Sequence, residues 1–310
     1  VAVEVDRKNE EIWEMQDWIS PGISACVGCN VELTLRLCLK ALGPRTVLAI
    51  PPGCMGGVGV VGWGATTGAR VPVFFPLLDN TAAMLAGIKL QYERRGEHIN
   101  AVAFAGDGAT VDAGFQCLSG AAERGDDIIY ICYDNEGYMN TGFQRSGSTT
   151  QGSWTSTTPV GDSSPGKSQK KKDFPMIMAM HDLPYVATAS PAYPRDLVAK
   201  VQKAMQKDGG TKYIHVLNPC PNGWGFSADE SIEIARLSVQ TRVFPLFEME
   251  DGQFSPTVAV KNPRPPREYL SRLKKFRHLD DEGIAGIEET VQHRWERLQK
   301  LMGEGRPCRD

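Results

Sequence analysis

Ala101-Val102-Ala103-Phe104-Ala105-Gly106-Asp107-Gly108 is the stretch on which the architecture turns. Five short apolar residues closed by glycine read as a buried strand. Residues 110–124 follow with Phe115, Leu118 and Ala122 on one helical face. Asp107 therefore belongs at the carboxyl end of a strand, in the crevice where open α/β sheets take ligands. A second apolar run, 128–133, ends in Asp134-Asn135-Glu136-Gly137. Two hard oxygen donors on neighbouring strand ends suit Mg2+ with phosphate oxygens completing its shell. The glycines let backbone approach those phosphates closely. Gly-Asp-Gly alone also marks an ordinary turn after a strand. Asn135 at the next strand end is what turns the reading toward a magnesium-diphosphate site.

Working outward, 31–42 reads as a helix with Val31, Leu35, Cys38 and Leu42 on one stripe, and 46–50 as a strand stopped by Pro51-Pro52-Gly53-Cys54. Residues 55–70 are rich in glycine and small side chains, which favours close backbone approach over helix. A helix is predicted over 80–95 with Asn80 as N-cap. The segment 140–172 is polar, full of Ser, Thr, Gly and Pro, and ends in Lys170-Lys171-Lys172. A loop this long is either disordered or functional. Its place directly after a ligand-bearing strand favours an active-site lid or an intersubunit arm, and the lysine run reads as a solvated face. Alternation resumes with a helix over 173–181, a strand over Tyr185–Ala189, a helix over 194–207 opened by Pro194, and a strand over 213–217 leading to Asn218-Pro219-Cys220-Pro221. This predicts an α/β fold with a doubly wound, mostly parallel sheet covered by helices on both faces. Residues 245–264 read as polar and irregular, and 267–301 as a charged helical arm laid on another subunit. The division drawn is 1–244 for the α/β domain and 245–310 for the C-terminal extension.

The chain has 310 residues, 41% of them hydrophobic, with a formal charge of −3. That is enough for a real core, and the absence of basic bias excludes nucleic acid as an indicated partner. No apolar run is long enough to span a bilayer. The start, Val1-Ala2-Val3-Glu4-Val5-Asp6-Arg7-Lys8, has no basic flank leading into an apolar core, so the expected location is cytoplasmic.

Eight cysteines without a secretory signal do not suggest a disulfide framework. Cys38, Cys117 and Cys132 fall on apolar faces and read as small buried hydrophobes. Cys308, in a polar tail, carries no signal. Cys26-Val27-Gly28-Cys29 is a C-x2-C pair, and Cys54 and Cys220 each sit in Gly/Pro-rich loops just beyond predicted strands. A doubly wound sheet gathers strand ends, so all four can share one crevice. Four thiolates there can hold a [4Fe-4S] cluster or structural zinc. Zinc knuckles commonly use two close pairs. Two single, distant ligands favour the cluster, and ordinary loop cysteines at 54 and 220 are a third reading.

Both constellations together resemble the β subunit of a thiamine diphosphate-dependent 2-oxoacid:ferredoxin oxidoreductase. The Gly-Asp-Gly and Asn135 pair, about thirty residues apart, matches the thiamine diphosphate signature. Further carriers are the four cysteine segments, Tyr138-Met139-Asn140-Thr141-Gly142, Gln144-Arg145-Ser146-Gly147 and Tyr193-Pro194-Arg195-Asp196. The resemblance implies that Asp107, Asn135 and the Gly137 carbonyl hold Mg2+ on the diphosphate, beside Gly106 and Gly108. It implies that Asn140 and Thr141 lie near the reacting thiazolium and substrate. Cys26, Cys29, Cys54 and Cys220 would ligate one [4Fe-4S] cluster, with Cys54 also beside the cofactor. An α subunit would complete the thiamine site, γ and δ subunits or fused equivalents would carry further clusters, and ferredoxin would accept the electrons.

Within that group the resemblance points to the pyruvate enzymes and their oxalate-oxidising relative. Met55-Gly56-Gly57-Val58-Gly59-Val60-Val61-Gly62-Trp63 departs from the bulkier, Thr- and Tyr-rich sequence usual in pyruvate enzymes, which favours oxalate. The expected reaction is oxidative decarboxylation, oxalate giving two CO2, with pyruvate and coenzyme A giving acetyl-CoA as the alternative. The rivals are a non-redox thiamine enzyme without a cluster and a zinc-stabilised subunit without activity. A Rossmann dinucleotide enzyme is disfavoured because no G-x-G-x-x-G opens a helix after the first strand.

Overall fold

The structure, a computed structural model, describes residues 10–22, 24–56 and 68–303. Among the described residues ten strands form two sheets: β1 (Thr46–Ala49), β2 (Val73–Phe74), β3 (Asn100–Gly106), β4 (Ile129–Asp134), β5 (Val160–Gly161), β6 (Ser164–Pro165), β7 (Tyr185–Ala189), β8 (Lys212–Leu217), β9 (Phe247–Glu250) and β10 (Gln253–Pro256). The main sheet runs β10-β9-β7-β8-β4-β3-β1-β2, and β5-β6 is a separate ribbon. From β7 through β2 the strands are parallel, while β9 and β10 are antiparallel additions at one edge. Helices α1 (Glu10–Glu14), α2 (Asn30–Leu42), α3 (Thr81–Arg94), α4 (Phe115–Arg124), α5 (Phe174–Ala179), α6 (Pro194–Gln206), α7 (Pro221–Trp224), α8 (Ser231–Gln240), α9 (Pro266–Leu270) and α10 (Asp281–Met302) complete the fold.

Successive residues of a strand point to opposite faces. Here both faces are covered, so β4 and β8 are buried along their whole length. Val102, Phe104, Ile131 and Ile214 pack one face against Leu35 of α2 and Leu197 and Val201 of α6. Ala101, Ala103, Ala105, Tyr130 and Tyr213 pack the other against Leu85 of α3, Leu118 of α4 and Met178 of α5. A third cluster, with Trp224, Phe244, Tyr269 and Val291, closes the carboxyl ends of β4 and β8. Among the described residues no helix is long and apolar enough to cross a membrane.

Several expectations need correction. The helix read over 110–124 is two pieces: a π-helical turn, Gly108–Ala113, precedes α4. A Cβ at Gly114 would lie 2.2 Å from Ala109 O, so only glycine closes that wide turn. The segment 245–264 is not irregular. It contains the β9-β10 hairpin, turned at Asp251-Gly252, both with positive φ (48° and 79°). Asp-Gly between two alternating runs is a strong hairpin signal, and Phe247, Met249 and Phe254 send their side chains to the core. The arm over 267–301 is broken into α9, a 3-10 turn and α10, which Asp280 caps by accepting from Gly283 N at 2.9 Å. Ile287, Val291 and Leu298 of α10 are buried against the chain itself.

The lysine run is not one solvated face. Lys170 is exposed, Lys172 pairs with Asp112 at 2.9 Å, and Lys171 is driven inward onto Asp134 and Glu136. Cys308 and residues 57–67, most of the stretch behind the oxalate reading, lie outside the described residues.

Candidate active site

The sheet grows outward from β1 in both directions, with β2 on one side and β3 on the other. Such a reversal opens a crevice at the carboxyl ends of the strands. The loops after β1, β3 and β4 line a cleft of about 270 Å3 there. It brings Gly106, Asp107 and Gly108 together with Asn135, Gly137, Asn140 and Thr141, and adds Cys54 from the β1 loop. Glycine is required at two of these positions. A Cβ at Gly108 would lie 2.4 Å from the Tyr138 ring, and one at Gly137 2.8 Å from Gln144 O.

Asp107 is 1% exposed and accepts a 2.5 Å hydrogen bond from Ser146 Oγ. Burial first, then the charge of Asp134, pushes its carboxyl well above the usual range. A bound cation would reverse that logic. The Asn135 amide shows where such a cation fits. Reversed, its nitrogen would donate to Asp107 Oδ1 at 3.0 Å and to Gly137 O at 2.9 Å. As placed, its oxygen faces those two oxygens, and its Nδ2 donates to Cys54 Sγ at 3.6 Å. Three oxygens at these separations would repel without a positive charge between them. They match adjacent corners of an octahedron whose metal–oxygen bonds are about 2.1 Å, the Mg2+ value. One amide thus faces the two oxygens on one side and a thiol on the other: without a cation its nitrogen would turn to Asp107 Oδ1 and Gly137 O, and with one bound its oxygen would turn to the metal and its nitrogen to Cys54 Sγ.

Behind this triplet lies a buried charge network that the sequence did not reveal. Asp134 Oδ2 accepts from His215 Nε2 (2.8 Å), Ser148 Oγ (2.9 Å) and Lys171 Nζ (2.9 Å). Its Oδ1 accepts from Glu136 N at 2.8 Å. Glu136, at φ 62°, accepts from Thr150 Oγ1, Lys171 Nζ and Lys275 Nζ at 2.9, 2.8 and 2.6 Å. Lys275 also lies 3.7 Å over the Trp224 ring, whose Nε1 donates to Asn135 O at 2.8 Å. Burial alone would push the Glu136 carboxyl up, but the charges of Lys171 and Lys275 bring it down to about 2. The left-handed backbone at Glu136 swings Gly137 O toward the Asn135 amide, and the two lysines hold it there. The long segment 140–172 thus serves as a strap whose Ser146, Ser148 and Thr150 bind the three acids of the strand ends. Ser146 already stood in a quoted motif. Lys275 had no local signal.

Tyr133 lines the same cleft, and its Oη, buried in the wall, has no hydrogen-bond partner within geometric limits among the described residues. An orphaned hydroxyl in a cleft wall is a second mark of a ligand site.

The cysteine loops converge less tightly. Cys29 caps α2, and Cys220 caps α7 by accepting from Gly223 N at 3.4 Å. Asn30 Nδ2 donates to Pro219 O (2.9 Å) and Thr34 Oγ1 to Asn218 Oδ1 (2.6 Å), which ties the two loops together. Burial raises the Cys29, Cys54 and Cys220 thiols, Cys54 to about 12, with the neighbouring cysteines adding to it. Backbone N–H groups work the other way at Cys29 and Cys220. Cys26 is exposed. Among the described residues no group of three or more His, Cys, Asp or Glu side chains is close enough to hold a metal ion as the chain stands. The donor chemistry nevertheless fits a cluster: free thiols from three loops, two of them at helix starts with N–H groups aimed at sulfur.

A cleft with a buried acid, an amide and close-approach glycines at the switch point of a parallel sheet is the arrangement of a cofactor-binding α/β protein. Residues 26–216 match the model of the thiamine pyrophosphate enzyme C-terminal TPP-binding domain. The chain is 49% identical to the NADH-dependent phenylglyoxylate dehydrogenase subunit beta of Aromatoleum evansii over 91% of its own length, spanning 64% of that subunit. It is 45% identical to pyruvate synthase subunit PorB of Methanothermobacter thermautotrophicus, covering 89% of this chain and 95% of that one. Ketoisovalerate oxidoreductase subunit VorB of Pyrococcus furiosus is 43% identical, with 90% and 92% covered. Among solved structures, 2-oxoglutarate:ferredoxin oxidoreductase from Magnetococcus marinus shares the fold at TM-score 0.55 and 18% identity, covering 71% of this chain and 79% of that one. The chain belongs to the thiamine pyrophosphate enzymes and, within them, to the β subunits of 2-oxoacid:ferredoxin oxidoreductases.

Proposed function

We propose that this chain is the cofactor-holding half of an enzyme that oxidatively decarboxylates a 2-oxoacid and passes the electrons to ferredoxin. The observation that carries the reading is Asn135, whose amide lies 3.0 Å from Asp107 Oδ1 and 2.9 Å from Gly137 O on one side and 3.6 Å from Cys54 Sγ on the other. When bound, thiamine diphosphate supplies the carbon nucleophile and electron sink for decarboxylation, and a [4Fe-4S] cluster supplies a one-electron acceptor.

Asp107, Asn135 and Gly137 O would hold Mg2+ on the diphosphate, and the π-helical turn after Gly108 presents backbone to it. Tyr133 Oη, fixed in the cleft wall, is placed to donate to the cofactor. Asn140 and Thr141 stand at the exposed rim, where Thr141 is held by Gln144 through bonds of 2.5 and 2.9 Å. They would meet the substrate. Cys26, Cys29, Cys54 and Cys220 would hold the cluster. Asp107 is the only carboxylate among the described residues lining the cleft, and an α subunit would supply the glutamate that activates the cofactor's aminopyrimidine. Phe75 and Leu77, 49% and 65% exposed beside the cleft residue Leu78, offer an apolar surface for that α subunit.

The named relatives act on phenylglyoxylate, pyruvate and ketoisovalerate, all 2-oxoacids. Oxalate rests on 55–63 alone. Anaerobic dye reduction by the native complex tests the reading, with pyruvate, 3-methyl-2-oxobutanoate, phenylglyoxylate and oxalate each assayed with and without coenzyme A. A 2-oxoacid that reduces the dye only with coenzyme A supports the acyl-transferring enzyme. Oxalate turnover without coenzyme A would support the oxalate reading and make 55–70 a candidate specificity determinant. No reduction by any of the four, in a complex loaded with thiamine and iron, would overturn the proposal.

A further inference from the structure

Beneath α10 lies a second cavity, of about 90 Å3, that shares no lining residue with the cofactor cleft. A single water needs about 10–15 Å3 on such a measure, so the space holds about six to nine water-sized groups. Its walls are mainly apolar, with Phe244, Phe247, Tyr269, Val291 and Leu298 among them. Its polar lining includes Glu136, Lys171 and His215, which satisfy one another through Asp134.

Two arginines are not satisfied in this way. Arg242 follows α8 with φ 57°, at the helix end where glycine or asparagine is ordinarily favoured. Its guanidinium lies 4.3 Å over the Trp295 ring and donates once, from Nη2 to Val260 O at 2.9 Å. Its Nε is buried away from accessible space, with no partner among the described residues. Arg294, on α10, donates to Lys171 O at 2.5 Å. Among the described residues neither makes an ion pair, although Arg297 one turn further along α10 is paired with Asp173. Guanidinium groups match carboxylates in a planar fork, and both arginines line the cavity with no carboxylate partner among the described residues.

We propose that this cavity binds a small monocarboxylate with a branched or aromatic apolar tail. The carboxylate would sit on Arg242 and Arg294 and the tail among Phe244, Phe247, Tyr269 and Leu298. Benzoate has about the size that the volume allows. An inorganic phosphate would leave the apolar walls unused, and a neutral apolar ligand would leave the arginines unpaired. The site would be an effector site: its polar end includes Glu136 and His215, which brace the loop carrying Asn135 and Gly137. The inference rests on this cavity alone and stands whatever the cofactor proves to be.

The test is isothermal titration of the native complex with sodium benzoate and, separately, with benzamide, its uncharged counterpart. Arg242→Gln removes the fork. Val291→Trp fills the cavity and keeps both arginines, and Leu298→Phe is a milder filling should the tryptophan prevent assembly. Benzoate should bind at least tenfold more tightly than benzamide, and at least tenfold more weakly to Arg242→Gln and to the filled variant than to the wild type. No benzoate binding to the wild type, equal binding of benzamide, or unchanged affinity in either variant would overturn the proposal.

Discussion

The oxygen site at the ends of β3 and β4 and the cysteine site beside it reach order by different routes. Asp107, Asn135 and Gly137 are held by the chain's own bonds: Ser146 on the carboxylate, Trp224 behind the asparagine, and Lys171 and Lys275 on the intervening Glu136. The cysteines lie on loops that are tied at their bases, but Cys26 is exposed and the sulfurs are not gathered to ligand distance. Mg2+ demands near-ideal octahedral geometry, which ligands held by the chain's own bonds help to supply. A thiolate site can be closed by its ligand, because metal binding supplies folding energy. One half of the centre is braced by the chain's own bonds, and the other, if it holds the proposed cluster, draws its order from that ligand.

The sharpest way to break that comparison is Asp107→Ala. It removes the metal bridge to the diphosphate, and thiamine content of the purified complex should fall to background while the fold survives. Full thiamine occupancy would show that the preformed oxygens are not the cation site. Cys220→Ser should act in the other half. Iron and sulfide content should fall steeply, because a hydroxyl poorly replaces a soft thiolate, while thiamine content stays near wild type. Loss of both cofactors together would mean that the two halves form one unit.

Lys171→Met attacks the preorganisation itself. It removes the one cation shared by Asp134 and Glu136, and breaking a buried pair typically costs about 3–5 kcal/mol. Arg264→Ala, which breaks the exposed Arg264–Glu268 pair, should cost about 1 kcal/mol or less. Thermal denaturation of the two variants side by side decides whether buried pairing organises the loop. The difference should also depend on pH. The Glu136 carboxyl is lowered from 4.5 to about 2 in the folded chain, so its stabilising contribution is complete above pH 4.5 and is lost as pH falls toward 2. The gap in stability between wild type and Lys171→Met should therefore narrow over that interval. A constant gap would mean that Lys171 acts through packing alone.

What the sequence disclosed follows the same division. Short apolar runs closed by glycine or proline located β1, β3, β4, β7 and β8 to within a residue or two, because a strand covered on both faces must be continuously apolar. The residues of the cleft were legible because strand ends of a parallel sheet gather in one place. The bracing was not. Lys171 meets Asp134 across 37 residues and Lys275 meets Glu136 across 139, and a lysine in isolation carries no mark of burial. The β9-β10 hairpin was available in Asp251-Gly252, yet the glutamates of Phe247-Glu248-Met249-Glu250 disguised an alternating edge strand as polar loop. In the tail, Asp280 was the cap that divides one apparent helix from the next.

The smallest effect expected is also the most direct probe of the preformed half. Tyr133 Oη is buried and unpaired, so Tyr133→Phe removes a polar atom that the chain alone does not satisfy. Without a ligand the substitution should leave stability unchanged or slightly raised, since no hydrogen bond is lost and a buried orphan is removed. With a ligand that accepts from this hydroxyl, the same change should weaken cofactor binding by about 1 kcal/mol, roughly fivefold in the dissociation constant. Measuring the thermal midpoint of the cofactor-free chain and the thiamine diphosphate dissociation constant of the complex separates the two states. A variant less stable without cofactor would place the hydroxyl in the chain's own bonding. Unchanged cofactor affinity would remove Tyr133 from the binding surface and leave the oxygen triplet to hold the diphosphate without it.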